Sequence, residues 1–204
     1  SKTMNEENYL LQKLARRYGT NNVDNCTRMC HASTVWALRT SLGAGAMTNS
    51  MEDLEEAADV FWIHGANPGE QHPIANSQYF RQAVLEGATV IQVDPHANKT
   101  TRSFEIHETD RHMHLQVEPG TDIPLLNVVL KTVLENGWVD EDFVEERTEG
   151  FEDLQETLDD FDKEAAAEQC GVPLEDIELA AEKYAKANNA AIFTGMGMSQ
   201  HTCG

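Results

Sequence analysis

Short apolar runs alternate along this chain with longer stretches in which apolar residues return every three or four positions. The first stretch, NEENYLLQKLARRYG, puts Tyr9, Leu10, Leu14 and Tyr18 on one stripe and predicts a helix over 5–18 that Gly19 stops. STVWALRTSLG predicts a second helix, with Ser33 or Thr34 as N-cap and Gly43 as the stop. In SMEDLEEA, Ser50 is the expected N-cap and Asp53 completes a variant capping box. The pattern then changes. Residues 60–63 are an unbroken apolar run ending in Gly65, Asn67 and Pro68, which predicts a buried strand and a turn. A helix over 73–86 follows, with Pro73 in its first turn. ATVIQVDP and RHMHLQV predict two further strands. TDIPLLNVVLKTVLENG predicts a helix closed by Gly137. DEDFVEERT, GFEDLQETLDD and VPLEDIELAAEKYAKA predict three more, the last with Pro173 at its first position. AAIFTGMGMSQ predicts a last strand running into glycines.

Strand–helix–strand alternation predicts an α/β fold with a mostly parallel, helix-covered sheet and right-handed crossovers. No repeat, low-complexity run or linker interrupts it, so residues 1–204 are expected to form a single domain. No apolar run reaches the roughly 18 to 20 residues of a membrane helix. Charge adds a second constraint. Thirty-five Asp and Glu against 15 Lys and Arg give a net charge of -20. Such a surface repels phosphate backbones, so nucleic acid is not an expected partner. Together with scarce lysine, the excess acid fits the surface of a halophile's protein, where salt screens self-repulsion; an ordinary acidic mesophile protein is the alternative. Cys26, Cys30, Cys170 and Cys203 do not read as a disulfide framework in a chain this long, so reduced thiols in a cytoplasmic setting are expected.

In open α/β sheets, ligands bind beyond the carboxyl ends of the strands. Three predicted strand ends carry suitable groups: Gly65, Asn67, Glu70 and Gln71; then Asp94 and His96; then Gly195, Met196, Gly197, Ser199 and Gln200. Glycines allow close backbone approach, and a carboxylate at a strand end can accept from both hydroxyls of a ribose. A nucleotide-bearing ligand is one reading; turn formation alone is the other. GAGAMT and GMGMSQ lack the third glycine of a GxGxxG fingerprint, and no GxxxxGK[ST] loop is present. His112 and His114, with His107 nearby, raise the question of zinc, but such histidines more often decorate an edge strand.

The segment NNVDNCTRMCHAST is expected as a loop. Its CxxxC spacing fits neither a closed zinc site, an iron–sulfur motif nor a redox CxxC pair. One reactive thiol fits better: Cys30 just before a helix start, where unpaired N–H groups favour a thiolate, with His31 able to take a proton near neutral pH. A buried, inert Cys30 beside a structural His31 is the alternative.

GTNNVDNCTRMCHAST, GAMTNS, GANPGEQHPI, VIQVDPH, PGTDIPLLN, RTEGFEDL and GMGMSQ occur in the order seen in formate dehydrogenase alpha subunits. From about Gln12 to its last residue the chain resembles these molybdopterin oxidoreductases, which carry a bis-(molybdopterin guanine dinucleotide) cofactor. The resemblance implies a Rossmann-like dinucleotide-binding fold. It puts Cys30 where the family ligates molybdenum or tungsten, and His31 where formate dehydrogenases handle the substrate's proton; Cys26 matches no ligand. It implies that Gly65, Asn67, Glu70 and Gln71 contact one guanine dinucleotide and that Asp94 reads its guanosine, with His96 beside it. Gly120, Thr121 and Asp122 match another contact loop, and Met196, Gly197 and Gln200 the loop nearest the pterin. The family usually has arginine where His96 stands, which removes one expected contact. FEIHETDRHMH is longer and more charged than its counterpart.

The resemblance further implies an excised central piece. It lacks the four-cysteine [4Fe–4S] segment, the lysine linking cluster to pterin, and the arginine that holds formate. Expected partners are formate, the remainder of the catalytic subunit and electron-transfer subunits. Nitrate reductases usually carry methionine after the metal cysteine, so Cys30–His31 tilts toward formate. Two alternatives stand: another molybdopterin oxidoreductase such as a nitrate reductase, and, for the isolated chain, a catalytically incomplete binding module.

Overall fold

A computed structural model describes residues 3–105 and 111–204, with residues 55–57 described by their backbone only. The chain divides into two compact units, residues 1–46 with 202–204, and residues 47–201.

The first unit is helical. Helix α1 (Asn5–Arg17) opens with the Glu7 carboxylate accepting from the Met4 N–H at 3.0 Å, and Gly19 takes a left-handed φ of 82° just past its end. A single turn, α2 (Thr27–Cys30), leads through His31 into α3 (Ala32–Leu42), which Gly43 closes at φ 80°. The expected N-cap of α3 was Ser33 or Thr34. His31 takes that place instead, because its carbonyl already accepts from the Val35 N–H at 2.8 Å.

The second unit is the α/β sheet. Helix α4 (Met51–Ala57) has the expected reciprocal cap: Ser50 Oγ accepts from the Asp53 N–H, and the Asp53 carboxylate accepts from the Ser50 N–H. Strand β1 (Val60–His64) is buried throughout. A one-turn α5 (Pro68–Gln71) follows, then a π turn over Ala75–Phe80 that runs into α6 (Arg81–Glu86). The regular helix expected over 73–86 is thus widened in its first half, which carries both Asn76 and Phe80 inward. Strand β2 (Thr89–Val93), helix α7 (Lys99–Glu105) and strand β3 (His112–Leu115) come next. Helices α8 (Asp122–Glu135), α9 (Glu141–Arg147), α10 (Phe151–Asp159), α11 (Lys163–Cys170) and α12 (Leu174–Ala185) precede β4 (Ala190–Thr194) and a final turn, α13 (Met196–Ser199). Pro173 is the N-cap of α12 rather than its first residue.

All four strands are parallel, in the order β3-β2-β1-β4. Strand alternation sends Val60 and Trp62 of β1 to one face and Phe61 and Ile63 to the other. The first face packs Ile91, Val93 and Leu115 against Leu125 and Val128 of α8, Cys170 of α11 and Ile177 of α12. The second packs Val90 against Phe80, Val84 and Phe104. Strand β1 is covered on both faces, so residues 60–63 read as a continuous apolar run, while β4 at the sheet edge is exposed on one face. The chain order reverses at β1: β2 and β3 are added on one side and β4 on the other. Strands β1 and β4 thus flank a switch point, where open α/β sheets form their ligand crevice.

Candidate functional site

The loops at the carboxyl ends of the strands are stitched together by backbone. The Gly65 N–H donates to Val93 O at 2.9 Å, Gly195 N–H to His64 O at 3.0 Å, and Gly197 N–H to Gly65 O at 2.9 Å. Gly65 takes φ 59°, and a Cβ there would meet the Met198 nitrogen at 2.7 Å. A Cβ on Gly197 would meet the Gly65 Cα at 2.7 Å, and one on Gly195 would collide with the Gly65 carbonyl. These three glycines let the β1 and β4 loops pack on each other. Gly120 (φ 86°) faces open space instead.

Between these loops lies a cavity of about 150 Å³. His64, Gly65, Asp94, Pro95, Gly120 and Asp122 supply much of its wall, and Gly197 and His201 face it from the β4 side. Its polar groups are two carboxylates and two imidazoles. The Asp94 carboxylate is oriented by the His96 N–H on Oδ1 at 2.9 Å and by the Asn98 side-chain amide on Oδ2 at 3.0 Å. Asp122 Oδ1 accepts from Nε2–H of His64 at 2.9 Å, and its Oδ2 lies 4.0 Å from Nε2 of His201. His64 is 2% exposed. Burial pushes its pKa below the usual histidine range, against the pull of Asp122 and then Asp94.

A buried polar network stands behind Asp94. Asn98 Oδ1 accepts from Gln92 Nε2 at 3.1 Å, Thr100 N–H at 2.8 Å and Thr101 N–H at 3.3 Å. Thr100 Oγ1 donates to Asn67 Oδ1 at 2.9 Å and accepts from Gly69 N–H at 2.9 Å. The β1 loop and the β2 loop are thereby tied through one threonine.

Of the expected contact residues, Gly65, Asp94, Gly120, Asp122 and Gly197 line the cavity. Asn67 is spent on Thr100, and Glu70 accepts from the Asn67 side chain at 3.1 Å. Gln71 and His96 are exposed outside the cavity wall, as are Met196 and Gln200. Thr121 is buried with its hydroxyl on Glu118 O at 2.7 Å; it shapes its loop from within. His64, His201, Gln92, Asn98 and Thr100 were not anticipated. His64 lies one residue past the apolar run expected as a strand, and its partner Asp122 lies 58 positions away.

In the first unit, Cys30 ends the single turn α2 and stands just before the start of α3, with His31 between them as N-cap. The Cys30 N–H donates to Cys26 O at 2.8 Å and that of His31 to Thr27 O at 3.2 Å. Cys30 is half-buried, while His31 and Cys26 are exposed. Of the three histidines weighed for metal, His107 lies outside the described residues. His114 Nε2 bonds Asp94 O at 2.9 Å, and His112 stacks on Phe104 at 5.7 Å between ring centres. Among the described residues no cluster of three or more His, Cys, Asp or Glu has metal-holding geometry.

Comparison with known proteins agrees with this geometry. The family model for molybdopterin oxidoreductase matches residues 1–204. The F420-dependent formate dehydrogenase subunit alpha of Methanocaldococcus jannaschii is 40% identical over 201 residues, 98% of this chain and 28% of the relative. Formate dehydrogenase H of Escherichia coli is 37% identical over 199 residues, 97% of this chain and 27% of the relative. The chain thus spans little more than a quarter of the length of these relatives. In structure it is similar to acetylene hydratase from Pelobacter acetylenicus, with a TM-score of 0.71 at 21% identity over 92% of this chain and 24% of that one, which is a likeness of fold. Parallel sheet, strand-end cavity and a family match over every residue lead to one statement: the chain belongs to the molybdopterin oxidoreductase family.

Proposed function

We propose that this chain is the molybdopterin guanine dinucleotide-binding portion of a formate dehydrogenase catalytic subunit. The observation that carries the reading is identity of 40% and 37% to formate dehydrogenase subunits over essentially the whole chain. The donor set of the cavity fits a guanosine: it offers carboxylate acceptors on a backbone-rich wall, suited to the N–H and O–H donors of base and ribose. Asp94 and Asp122 would hold that end of the cofactor, Gly120, which faces open space, would give its diphosphate arm access to the backbone, and Gly65 and Gly197 would shape the wall by letting their loops pack together. Asn67, Glu70, Gln71, His96, Thr121, Met196 and Gln200 belong to the same loops and act through them. The parent enzyme would pair this dinucleotide with a second one, and a [4Fe–4S] cluster outside this chain would carry electrons away to partner subunits, in the cytoplasm.

When bound, the cofactor supplies a molybdenum or tungsten centre able to accept two electrons. Oxidation of formate to carbon dioxide releases one proton and two electrons. Cys30 would ligate the metal through Sγ, as a soft donor suited to it. His31, exposed beside it, would accept the proton on its imidazole. The test is Cys30→Ala in the full-length parent. Formate-dependent dye reduction should fall at least about 100-fold, the scale of losing an essential catalytic group; near wild-type activity would overturn the assignment.

A further inference from the structure

His64 is a buried titratable group that the chemistry above does not use. It sits on β1 two positions after Trp62, so both side chains leave the same face of the strand. The Trp62 indole is 3% exposed, and its Nε1 lies 3.4 Å from Nδ1 of His64. An indole nitrogen can only donate, so Nδ1 must be the acceptor. The ring proton is then on Nε2, aimed at Asp122 Oδ1 at 2.9 Å. Protonating Nδ1 as well would set two N–H groups against each other between two buried side chains. The indole therefore fixes the imidazole in one tautomer, and the imidazole fixes the carboxylate.

One Asp122 oxygen is thus occupied from the protein side, leaving Oδ2 as the acceptor nearest His201. Asp122 is also the first residue of α8, so its backbone is held by a 14-residue helix. A carboxylate held at both backbone and side chain presents its remaining lone pairs in one direction. That arrangement suits a ligand edge with adjacent N–H donors. Guanine has such an edge, N1–H beside N2–H₂; adenine offers a bare N1 acceptor there, which a carboxylate repels.

We propose that His64 is a positioning residue: held in its Nε2–H tautomer by Trp62, it orients Asp122 so that the cavity selects guanine over adenine. The inference rests on the reading of the cavity as a nucleotide site. It is tested on the 204-residue chain with GDP and ADP as probes, by calorimetry, and with ¹⁵N spectra of the histidine rings. The unaltered chain should bind GDP at least about tenfold tighter than ADP, the scale of one paired donor–acceptor edge. His64→Leu should weaken GDP by about tenfold and shrink the preference, the scale of one lost charge-assisted bond. His64→Gln retains a side-chain N–H donor and should restore most of both. The spectra of the unaltered chain should show His64 neutral, protonated on Nε2 with Nδ1 bare. GDP binding with an unchanged GDP-to-ADP ratio in a folded His64→Leu overturns the positioning role and leaves the function reading standing. An Nδ1–H tautomer overturns it too, without reference to any ligand. Binding of neither nucleotide by the unaltered chain overturns the reading of the cavity itself, and the inference with it.

Discussion

Asn98 shows how one side chain can hold a site. Its amide oxygen accepts from Gln92, Thr100 and Thr101, and its amide nitrogen donates to Asp94. Replacing it with alanine leaves buried donors without partners, each costing about 1–3 kcal/mol. Asn98→Ala should therefore lower stability by about 2–4 kcal/mol in urea melts, and Asn98→Asp should also destabilise, because its carboxylate would face Asp94 where the amide donated. Two other residues make stability depend on pH. Burial pushes the pKa of His64 and of His112 below the ordinary value; Asp122 and Asp94 oppose the shift for His64, and His114 reinforces it for His112. The unfolded chain takes up these protons near pH 6.5 while the folded chain does not. Their contribution is complete above about pH 6.5 and is lost as pH falls toward the lowered folded values. Stability measured at pH 7.5 and 5.5 should fall by up to about 1.4 kcal/mol per group per pH unit. His64→Gln should flatten that fall; an unchanged slope would show that His64 is not a source of it.

At the scale of elements, β1 was readable because it is buried on both faces and its apolar residues run from Val60 to Ile63 without interruption. Caps were readable where a side chain closes on its own backbone, as at Ser50 and Asp53. Two helices longer than a single turn escaped. KTTRSFE of α7 has one large apolar residue, Phe104, and it begins where Asn98 receives the Thr100 and Thr101 N–H groups, a tertiary arrangement that no periodicity records. KEAAAEQC of α11 buries only Ala166, Ala167 and Cys170, small residues that make no visible stripe. The site divides in the same way. Gly65, Asp94 and Gly197 stand at predicted strand ends and were found by position; Gly120 and Asp122 were expected only from the family resemblance; His64 and Asn98 act on partners that only folding brings near. A comparable long-range tie closes α10. Lys131 of α8 gives its ammonium to the carbonyls of Leu158, Asp159 and Phe161, all at 2.9 Å, and so caps a helix end from a neighbouring helix. Lys131→Met should cost about 2–3 kcal/mol, and hydrogen exchange should quicken first at the end of α10.

At the scale of the whole molecule, the net charge of -20 sets how the chain responds to solvent. Self-repulsion among like charges opposes compaction and is screened within about 10 Å at 0.1 M salt and about 3 Å at 1 M. Raising potassium chloride from 0.05 to 2 M, both chosen as test concentrations, should raise Tm by roughly 5 °C, or about 2 kcal/mol for a chain this size. A flat or falling Tm would remove the high-salt interpretation of the acidic surface. The same charge bears on the cavity, since two of its walls carry carboxylates and an anionic ligand must meet them through donors rather than through cations.

The glycines at 65, 195 and 197 carry a mechanical consequence. Their loops touch backbone to backbone, with no side-chain cushion between them, and are bonded to each other and to the strand ends. Side-chain contacts yield to small displacements by changing rotamer; this joint has no rotamers to change. A ligand that presses on the loop after β1 must shift the loop after β4 by the same amount, like two plates riveted along one seam.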